Sequence, residues 1–427
     1  MPYVVTSACI LCGACVAGCE SGAITEGETQ SYIDVNICIE CGTCERNCPA
    51  EAIIFVDDAD VDEIAYVPAE VVQRFMGEVF VRLGTPQEDA CICAEVLVTS
   101  DLQGIESHGV GRLKVYYDRI RAGVQSVKTT IEIVKETETT AVVDGHHGMG
   151  PVVAFRCMRL AMNKARQYGL GAVAVRNGTH FGIAGYYPLM AAKEGMMGLT
   201  VTNARPSQLA TFGAEPVLGT NPIAFAAPSD VGFPFCFDAA TSVVSRGKIE
   251  VLARAEKPAP EGWVVGAAGE PLTDAQAILR GLGDGTAALL PLGGAGETLA
   301  GYKGFGLATV VEIFSASLCG GAFMKDLLGF APDGSRRPHM LGHLFLAIDI
   351  EHFIPLEVSK RITGQIMRAL QSALKAPGQE RIYVAGEKEH ERQKLVRERG
   401  IPVNRLLRRD LQTVRDELGI AGYEAYF

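Results

Sequence analysis

The sequence predicts a multidomain α/β protein with a small cysteine-rich α+β module at its N-terminus. Three observations lead there. Eight of the 13 cysteines fall within the first 48 residues. Beyond residue 63, β-type runs alternate with helical stretches, the pattern of α/β architecture. At 427 residues the chain has material for two or three domains, at roughly 100–200 residues each. Hydrophobic residues make up 48% and charged residues 21%, which excludes a disordered chain. A net charge of −11 without any Lys/Arg-rich block weighs against nucleic acid as a partner. The most apolar stretch, Gly304–Phe323, is broken by Glu312, so no membrane span is expected. The N-terminus lacks a basic segment followed by a long apolar core, and a cytoplasmic location is expected.

Cys9, Cys12, Cys15 and Cys19 form C-x2-C-x2-C-x3-C, and Cys38, Cys41, Cys44 and Cys48 repeat it 29 residues later, with Pro49 following. In a reducing compartment such crowding means metal ligation rather than disulfides. Thiolates are soft ligands suited to iron–sulfur clusters; three close cysteines hold one cubane, and the fourth reaches the other cluster of the pair. One [4Fe–4S] cluster is therefore assigned to Cys9, Cys12, Cys15 and Cys48, and the second to Cys38, Cys41, Cys44 and Cys19. Zinc is the alternative, but it usually takes four ligands in paired C-x2-C units. Gly13 and Gly42 sit where the chain turns around inorganic sulfur. Ala23–Thr25 and Ala52–Phe55 read as short strands. Residues 1–57 resemble the bacterial two-cluster ferredoxins, with Glu20 standing where a proline often follows the first run.

An acidic linker, Asp57–Glu63, comes next. Val72, Phe75, Met76, Val79, Phe80 and Leu83 carry helical spacing, and Gly84 ends that helix. Thr85, Pro86 and Glu88 read as N-cap, first helical residue and capping-box partner of a helix running towards Gln103. Cys91 and Cys93 lie in it as core or surface thiols. Ile131–Val134 and Thr140–Val143 read as strands, and Pro151–Tyr168 as a helix closed by Gly169. Gly171–Val175 and Leu199–Thr202 read as strands with a helix between them. No G-x-G-x-x-G opens a helix after a strand and no Walker lysine motif is present, so Rossmann and P-loop architectures lose support. Neither H-E-x-x-H nor G-x-S-x-G occurs.

Among eight histidines, two stand in suggestive settings. His108 lies in Ser107-His108-Gly109, with Arg112 four residues on. His180 lies in Asn177-Gly178-Thr179-His180-Phe181-Gly182, directly after a strand, where loops commonly carry chemistry. Together with Asp101–Gly109, Phe212-Gly213-Ala214-Glu215, Gly219-Thr220-Asn221-Pro222, Phe237–Thr241, Gly247-Lys248, Gly301–Gly306 and Gly386–Glu389, these segments resemble, in order, the type 2 malate/lactate dehydrogenase family. The resemblance implies an NAD(P)-dependent oxidoreductase acting on a small 2-hydroxy or 2-oxo acid. It also implies a non-Rossmann fold, in which a mostly antiparallel cofactor-binding sheet is inserted into a helical domain, and an active site formed in a homodimer. The expected divisions are 1–57 for the cluster module, 58–127 and 296–427 for the helical domain, and 128–295 for the inserted NAD(P)-binding domain. Cyclic imine reductases belong to the same family.

Oxidising a secondary alcohol needs a base for its proton, and imidazole titrates in the right range. By resemblance His180 takes that role. Arg112 supplies a guanidinium fork for the substrate carboxylate, with His108 and Ser107 lining the pocket. The bland alternative pairs Arg112 with Asp101. Cofactor contacts carry over to Asp238, Ala239, Ala240, Lys303, Gly386, Glu387 and Lys388. Ala204 stands where many relatives have a hydroxyl residue, leaving only a backbone contact. Arg205 adds positive charge beside the site and favours an acidic substrate such as malate. Clusters move single electrons whereas nicotinamide takes a hydride, and no flavin signature bridges the two. Either the enzyme is autonomous and its ferredoxin head docks a redox partner protein or is regulatory, or the chain is an electron-transfer or assembly subunit with a non-catalytic body.

Overall fold

The computed structural model describes residues 3–5, 9–19, 21–26, 31–33, 38, 42–50, 52–55, 64–254, 257–331 and 333–427. Cys41, Glu20 and the 57–63 linker lie outside the described residues.

In the N-terminal module β1 (Tyr3–Val5) pairs antiparallel with β4 (Ile53–Phe55), and β2 (Ile24–Glu26) with β3 (Ser31–Ile33). Two single-turn helices, α1 (Ala14–Ala17) and α2 (Thr43–Arg46), start after Gly13 and Gly42, each at φ 72°. This left-handed conformation is easy only for glycine, and its recurrence shows the sequence repeat as a structural one. Cys15 and Cys44 are buried with Tyr3, Val5, Ile24 and Ile53 in the module's core.

The body begins with β5 (Ala65–Val67), α3 (Ala69–Arg82) and α4 (Gln87–Leu102). The apolar stripe of α3 is buried as its spacing requires, and Gly84 follows its end at φ 98°. Thr85 does not cap α4. Pro86 takes the N-cap position, and the buried Thr85 hydroxyl has no hydrogen-bond partner. Pro86 lacks an N–H, and its extended ψ of 145° places it before the first helical residue. Two 3-10 turns, 106–108 and 110–112, then lead into α5 (Leu113–Arg121). The chain continues through β6 (Glu132–Glu136), β7 (Thr140–Asp144), α6 (Gly150–Tyr168), β8 (Leu170–Gly178), α7 (Tyr186–Lys193) and β9 (Met196–Thr202). Next come β10 (Gln208–Leu209), β11 (Pro216–Leu218), β12 (Ile223–Ala227), β13 (Phe235–Ala239), α8 (Arg246–Arg254), β14 (Val264–Gly266), α9 (Ala275–Asp284) and β15 (Ala287–Leu289). The remainder holds α10 (Gly301–Ala316), β16 (Leu341–Asp349), α11 (Leu356–Gln371), α12 (Glu387–Arg399), β17 (Ile401–Val403) and α13 (Arg405–Leu418).

A seven-stranded sheet in the order β13-β12-β9-β16-β8-β7-β6 organises the body. All its pairings are antiparallel except β7–β8. Alternate residues of the central strands face opposite layers. Val173, Val175, Phe345 and Ala347 join the main core with α6, α3 and α4. Ala174, Val201 and Leu344 join Val311 of α10 on the other face. The sheet reaches beyond the expected 128–295 insertion, because β16, at its centre, comes from residues 341–349. A smaller sheet, β11-β10-β15-β14, and helices α8 and α9 form a lobe with its own core around Ile249, Ile278 and Leu289. No helix among the described residues is long and apolar enough to cross a membrane.

Candidate active site

His180 follows β8, and the loop that carries it is seated by close packing. A Cβ on Gly150, the first residue of α6, would lie 2.1 Å from the His180 carbonyl oxygen, so only glycine fits there. The Thr179 hydroxyl donates to the Gly148 carbonyl at 2.8 Å. The His180 ring is half-buried and is held by Tyr116 of α5, whose hydroxyl lies 2.8 Å from Nδ1 and donates to the His180 carbonyl at 2.9 Å. Nδ1 meets both the Tyr116 hydroxyl and, at 3.3 Å, the Gly182 N–H; the tautomer that carries its proton on Nδ1 and gives it to the Tyr116 oxygen leaves a lone pair on Nε2. Among the described residues Nε2 has no partner. Burial, reinforced by neighbouring His108, Arg119 and Arg112, holds the His180 pKa well below its ordinary 6.5. The imidazole is therefore neutral at pH 7 and able to accept a proton.

His108 stacks on His180 with ring centroids 5.6 Å apart. Its Nδ1 lies 2.9 Å from the Ser107 hydroxyl, and burial with the Arg112 charge lowers its pKa to about 4. Arg112 is not one regular helical turn from His108, because Gly109 separates the two 3-10 turns. Instead its Nε donates to the Ser107 carbonyl, and Nη2 meets the Glu250 carboxylate of α8 at 3.2 Å. Nη1 has no partner among the described residues. The alternative pairing with Asp101 is not found. Asp101 is buried and accepts from the Val110 N–H at 2.7 Å, which fixes the loop between Ser107 and Arg112. Burial pushes its carboxyl pKa well above the usual range. The four expected residues Ser107, His108, Arg112 and His180 thus form one cluster. Tyr116 completes it, although nothing in its apolar setting on α5 distinguished it from a core aromatic.

A cavity of about 700 Å³, within the size range of ligand pockets, roughly 300–1,000 Å³, is lined by Ile105 and Gly185 but by none of Ser107, His108, Arg112, Tyr116 and His180. Asp238, Gly386 and Lys388 line it, with Phe233, Phe237, Tyr383 and Cys236. Asp238 accepts from the Gly185 N–H at 2.6 Å; desolvation, aided by Glu389, nevertheless raises its pKa to about 6. Gly386 has φ 89°, and a Cβ there would sit 3.0 Å from the Cys236 nitrogen, so the backbone packs against β13 as closely as glycine allows. Lys388 Nζ lies 4.6 Å from the Tyr383 ring centroid.

Other expected cofactor residues do not line this cavity. Ala239 and Ala240 follow Asp238 but do not line the cavity. Glu387 is buried, accepts from the Val384 N–H at 3.0 Å and pairs with Arg381, so its carboxylate closes a turn rather than facing a ligand. The Ala204 N–H is taken by the Asn221 side-chain oxygen at 3.1 Å, which leaves the carbonyl for the backbone contact expected there. Lys303 is exposed near the start of α10, away from the cavity.

In the N-terminal module the Ala23 N–H donates to Cys19 Sγ at 3.2 Å, and the Ala52 N–H to Cys48 Sγ at 3.1 Å. These matched bonds fit thiolates rather than thiols at both fourth positions. Burial alone would raise the Cys19 pKa, but hydrogen bonds from Ser21 and Ala23 bring it below its ordinary value. Among the described residues no three thiol, imidazole or carboxylate groups meet closely enough to hold a single metal ion. A cubane cluster spreads its four thiolates over separate iron atoms.

Residues 67–412 match the malate/L-lactate dehydrogenase family, and residues 8–53 match the 4Fe-4S dicluster domain. The chain is 44% identical to a malate dehydrogenase of Pyrococcus horikoshii, over 83% of this chain and 96% of that protein. It is 39% identical to an L-sulfolactate dehydrogenase of Methanocaldococcus jannaschii, over 82% and 96%. Its structure superposes on malate dehydrogenase from Entamoeba histolytica with a TM-score of 0.82 at 39% identity, covering 84% of this chain and 99% of the other. With an N-terminal 4Fe-4S ferredoxin domain attached, the chain belongs to the malate/L-lactate dehydrogenase family of 2-hydroxyacid dehydrogenases.

Proposed function

We propose that the protein interconverts a malate- or lactate-type 2-hydroxy acid and its 2-oxo acid with NAD or NADP. The observation that carries this reading is His180: neutral, held at Nδ1 by Tyr116, with an unpartnered Nε2 and the Arg112 charge nearby. The substrate carboxylate takes the open Nη1 edge of Arg112, where a guanidinium offers charge and direction. The substrate hydroxyl then faces His180 Nε2, which accepts its proton. The resulting imidazolium keeps its Nδ1–H on Tyr116 oxygen, and the Tyr116 proton stays on the His180 carbonyl. His108 and Ser107 exclude water from one side of the pocket. A bound nicotinamide supplies the hydride acceptor. Asp238, Gly386 and Lys388 would hold that cofactor, with Phe233, Phe237 and Tyr383 offering flat apolar surface to its rings.

The cysteine module fits two [4Fe–4S] clusters, one on Cys9, Cys12, Cys15 and Cys48 and one on Cys38, Cys41, Cys44 and Cys19. Such clusters supply one-electron chemistry, and the module is the surface for a redox partner protein. A homodimer is supported by apolar side chains exposed at helical spacing on α10 (Leu307, Val310 and Phe314) and α11 (Ile362, Ile366 and Leu370). Lys303 lies on the same helix as the first stripe, and therefore towards a second subunit rather than the cavity of its own.

The test is a panel of malate, lactate, sulfolactate and ureidoglycolate offered to the purified full-length protein with each nicotinamide. Reduction of nicotinamide by at least one acid supports the reading. No turnover of any, with cofactor bound, overturns it.

A further inference from the structure

The small lobe, with its own core around Ile249 and Ile278, touches the active-site loop through the N-terminal part of α8. A Cβ on Gly247 would lie 2.7 Å from Ser107 Cβ and 3.2 Å from Arg112 Nη2, so the helix is seated directly on that loop. Glu250 stands three residues further along the same face. Its Oε2 accepts from Arg112 Nη2 at 3.2 Å, and its Oε1 accepts from Arg246 Nε, also at 3.2 Å. One carboxylate therefore serves two guanidiniums. Among the described residues neither arginine has another carboxylate partner. The Arg112 and Glu250 side chains are 20% and 27% exposed, so water screens this pair only in part.

A guanidinium carries five N–H donors. Arg112 gives one to the Ser107 carbonyl and one to Glu250, which fixes its plane and leaves the rest for a ligand. Glu250 is itself the kind of group that a 2-hydroxy acid would present to Arg112. It thus acts in two opposed ways: it orients the guanidinium, and it neutralises part of the charge that a substrate carboxylate seeks. Arg246 sets the balance by holding the second oxygen of Glu250 and sharing its charge.

We infer that Glu250 is a positioning residue for Arg112 that also competes with the substrate carboxylate, and that Arg246 limits this competition. The inference rests on the dehydrogenase reading above and deepens it. The affinity of the site for a carboxylate is tuned from the small lobe, by two side chains that do not touch the substrate.

The test compares full-length wild type with Glu250→Gln, Arg246→Gln and the double variant. Calorimetry gives the Kd of oxamate, an unreactive isostere of a 2-oxo acid, with NADH present; steady-state turnover gives kcat and KM for malate. Glutamine keeps the size of Glu250 without its charge. Glu250→Gln should bind oxamate about threefold more tightly, the scale of a partly exposed ion pair. Its malate kcat should nevertheless fall about tenfold or more, because Arg112 is no longer held in register. Arg246→Gln should bind oxamate about threefold more weakly, since Glu250 then pairs with Arg112 alone. In the Glu250→Gln background the Arg246 substitution should change nothing, because its influence runs through Glu250.

Unchanged or weaker oxamate binding by Glu250→Gln overturns the inference, as does a malate kcat in that variant equal to wild type. An Arg246→Gln effect of the same size in both backgrounds overturns it too, since that is the loss of a charge and nothing more. Wild type that binds no oxamate also overturns it. Opposed shifts in oxamate affinity that are coupled through Glu250 uphold the competition even if no hydroxy acid is oxidised, in which case only the dehydrogenase reading fails.

Discussion

Tyr116→Phe isolates the proton-transfer arrangement without altering the volume of the site. The hydroxyl it removes touches His180 twice, at Nδ1 (2.8 Å) and at the carbonyl (2.9 Å). The ring itself still packs against Phe80 and His180, so the fold is retained. Once His180 takes the substrate proton, its Nδ1–H becomes a charged donor, and hydrogen bonds to charged groups are worth about 1.5–3 kcal/mol. At about 1.4 kcal/mol per tenfold in rate, kcat for hydroxy-acid oxidation should fall roughly 10- to 100-fold. KM should change little, because Tyr116 touches the base and not the substrate. The imidazolium loses an acceptor, so the acid limb of kcat moves to lower pH rather than higher. The assay is steady-state reduction of nicotinamide across pH, with wild type and variant side by side. A kcat within threefold of wild type and an unmoved acid limb would refute the assignment of Tyr116 as the group that positions His180.

Three further outcomes follow from the geometry. Asp101 is buried with its pKa raised, so the folded chain keeps a proton that the unfolded chain releases, and wild-type stability drops as pH rises above the ordinary carboxyl range. Asp101→Asn lacks that slope. Its stability relative to wild type, from urea unfolding, should improve between pH 5 and pH 7 by up to about 1.4 kcal/mol per pH unit; a constant difference contradicts a neutral Asp101. A Cβ on Gly109 would fall 1.7 Å from Asp101 Oδ1, so Gly109→Ala should displace the loop carrying Ser107, His108 and Arg112, cost about 1–3 kcal/mol of stability and lower kcat/KM at least tenfold, as read by thermal melting and turnover. Cys48→Ala should disturb the cluster of Cys9, Cys12 and Cys15 while the one on Cys38, Cys41 and Cys44 keeps its signal; electron paramagnetic resonance of the reduced protein distinguishes this from loss of the neighbouring cluster, which would reverse the interleaved ligand assignment.

Local chemistry was readable from the sequence where it is carried by spacing. The stripe of α3, the closure of α6 at Gly169, the doubled cysteine run and the Ser107–Arg112 and Asn177–Gly182 segments all depend on residues within one or two turns of each other. What depends on distant partners was not. Glu250 reaches Arg112 across 138 positions, and β16 enters the centre of the sheet from residues 341–349. No periodicity encodes strand order. Glu387 sits in a matching segment, yet Arg381 and the Val384 N–H claim its carboxylate. Asn221 likewise claims the Ala204 N–H. Tyr116 was invisible because a buried aromatic on a helix face looks the same whether it packs or positions. Thr85 has the residue type of a cap, but Pro86 sets the entry geometry of α4 and leaves the hydroxyl unused.

The most direct measurement is the pH profile of kcat/KM for hydroxy-acid oxidation by wild type and His180→Asn. A neutral, buried-side imidazole with its pKa well below 6.5 should keep wild-type activity undiminished as pH falls through 6.5, and the asparagine variant should lose at least 100-fold, in line with the ~10²–10⁴-fold contribution of a general base. A variant that retains wild-type turnover, or a wild type that loses half its activity at pH 6.5 or above, would contradict the account.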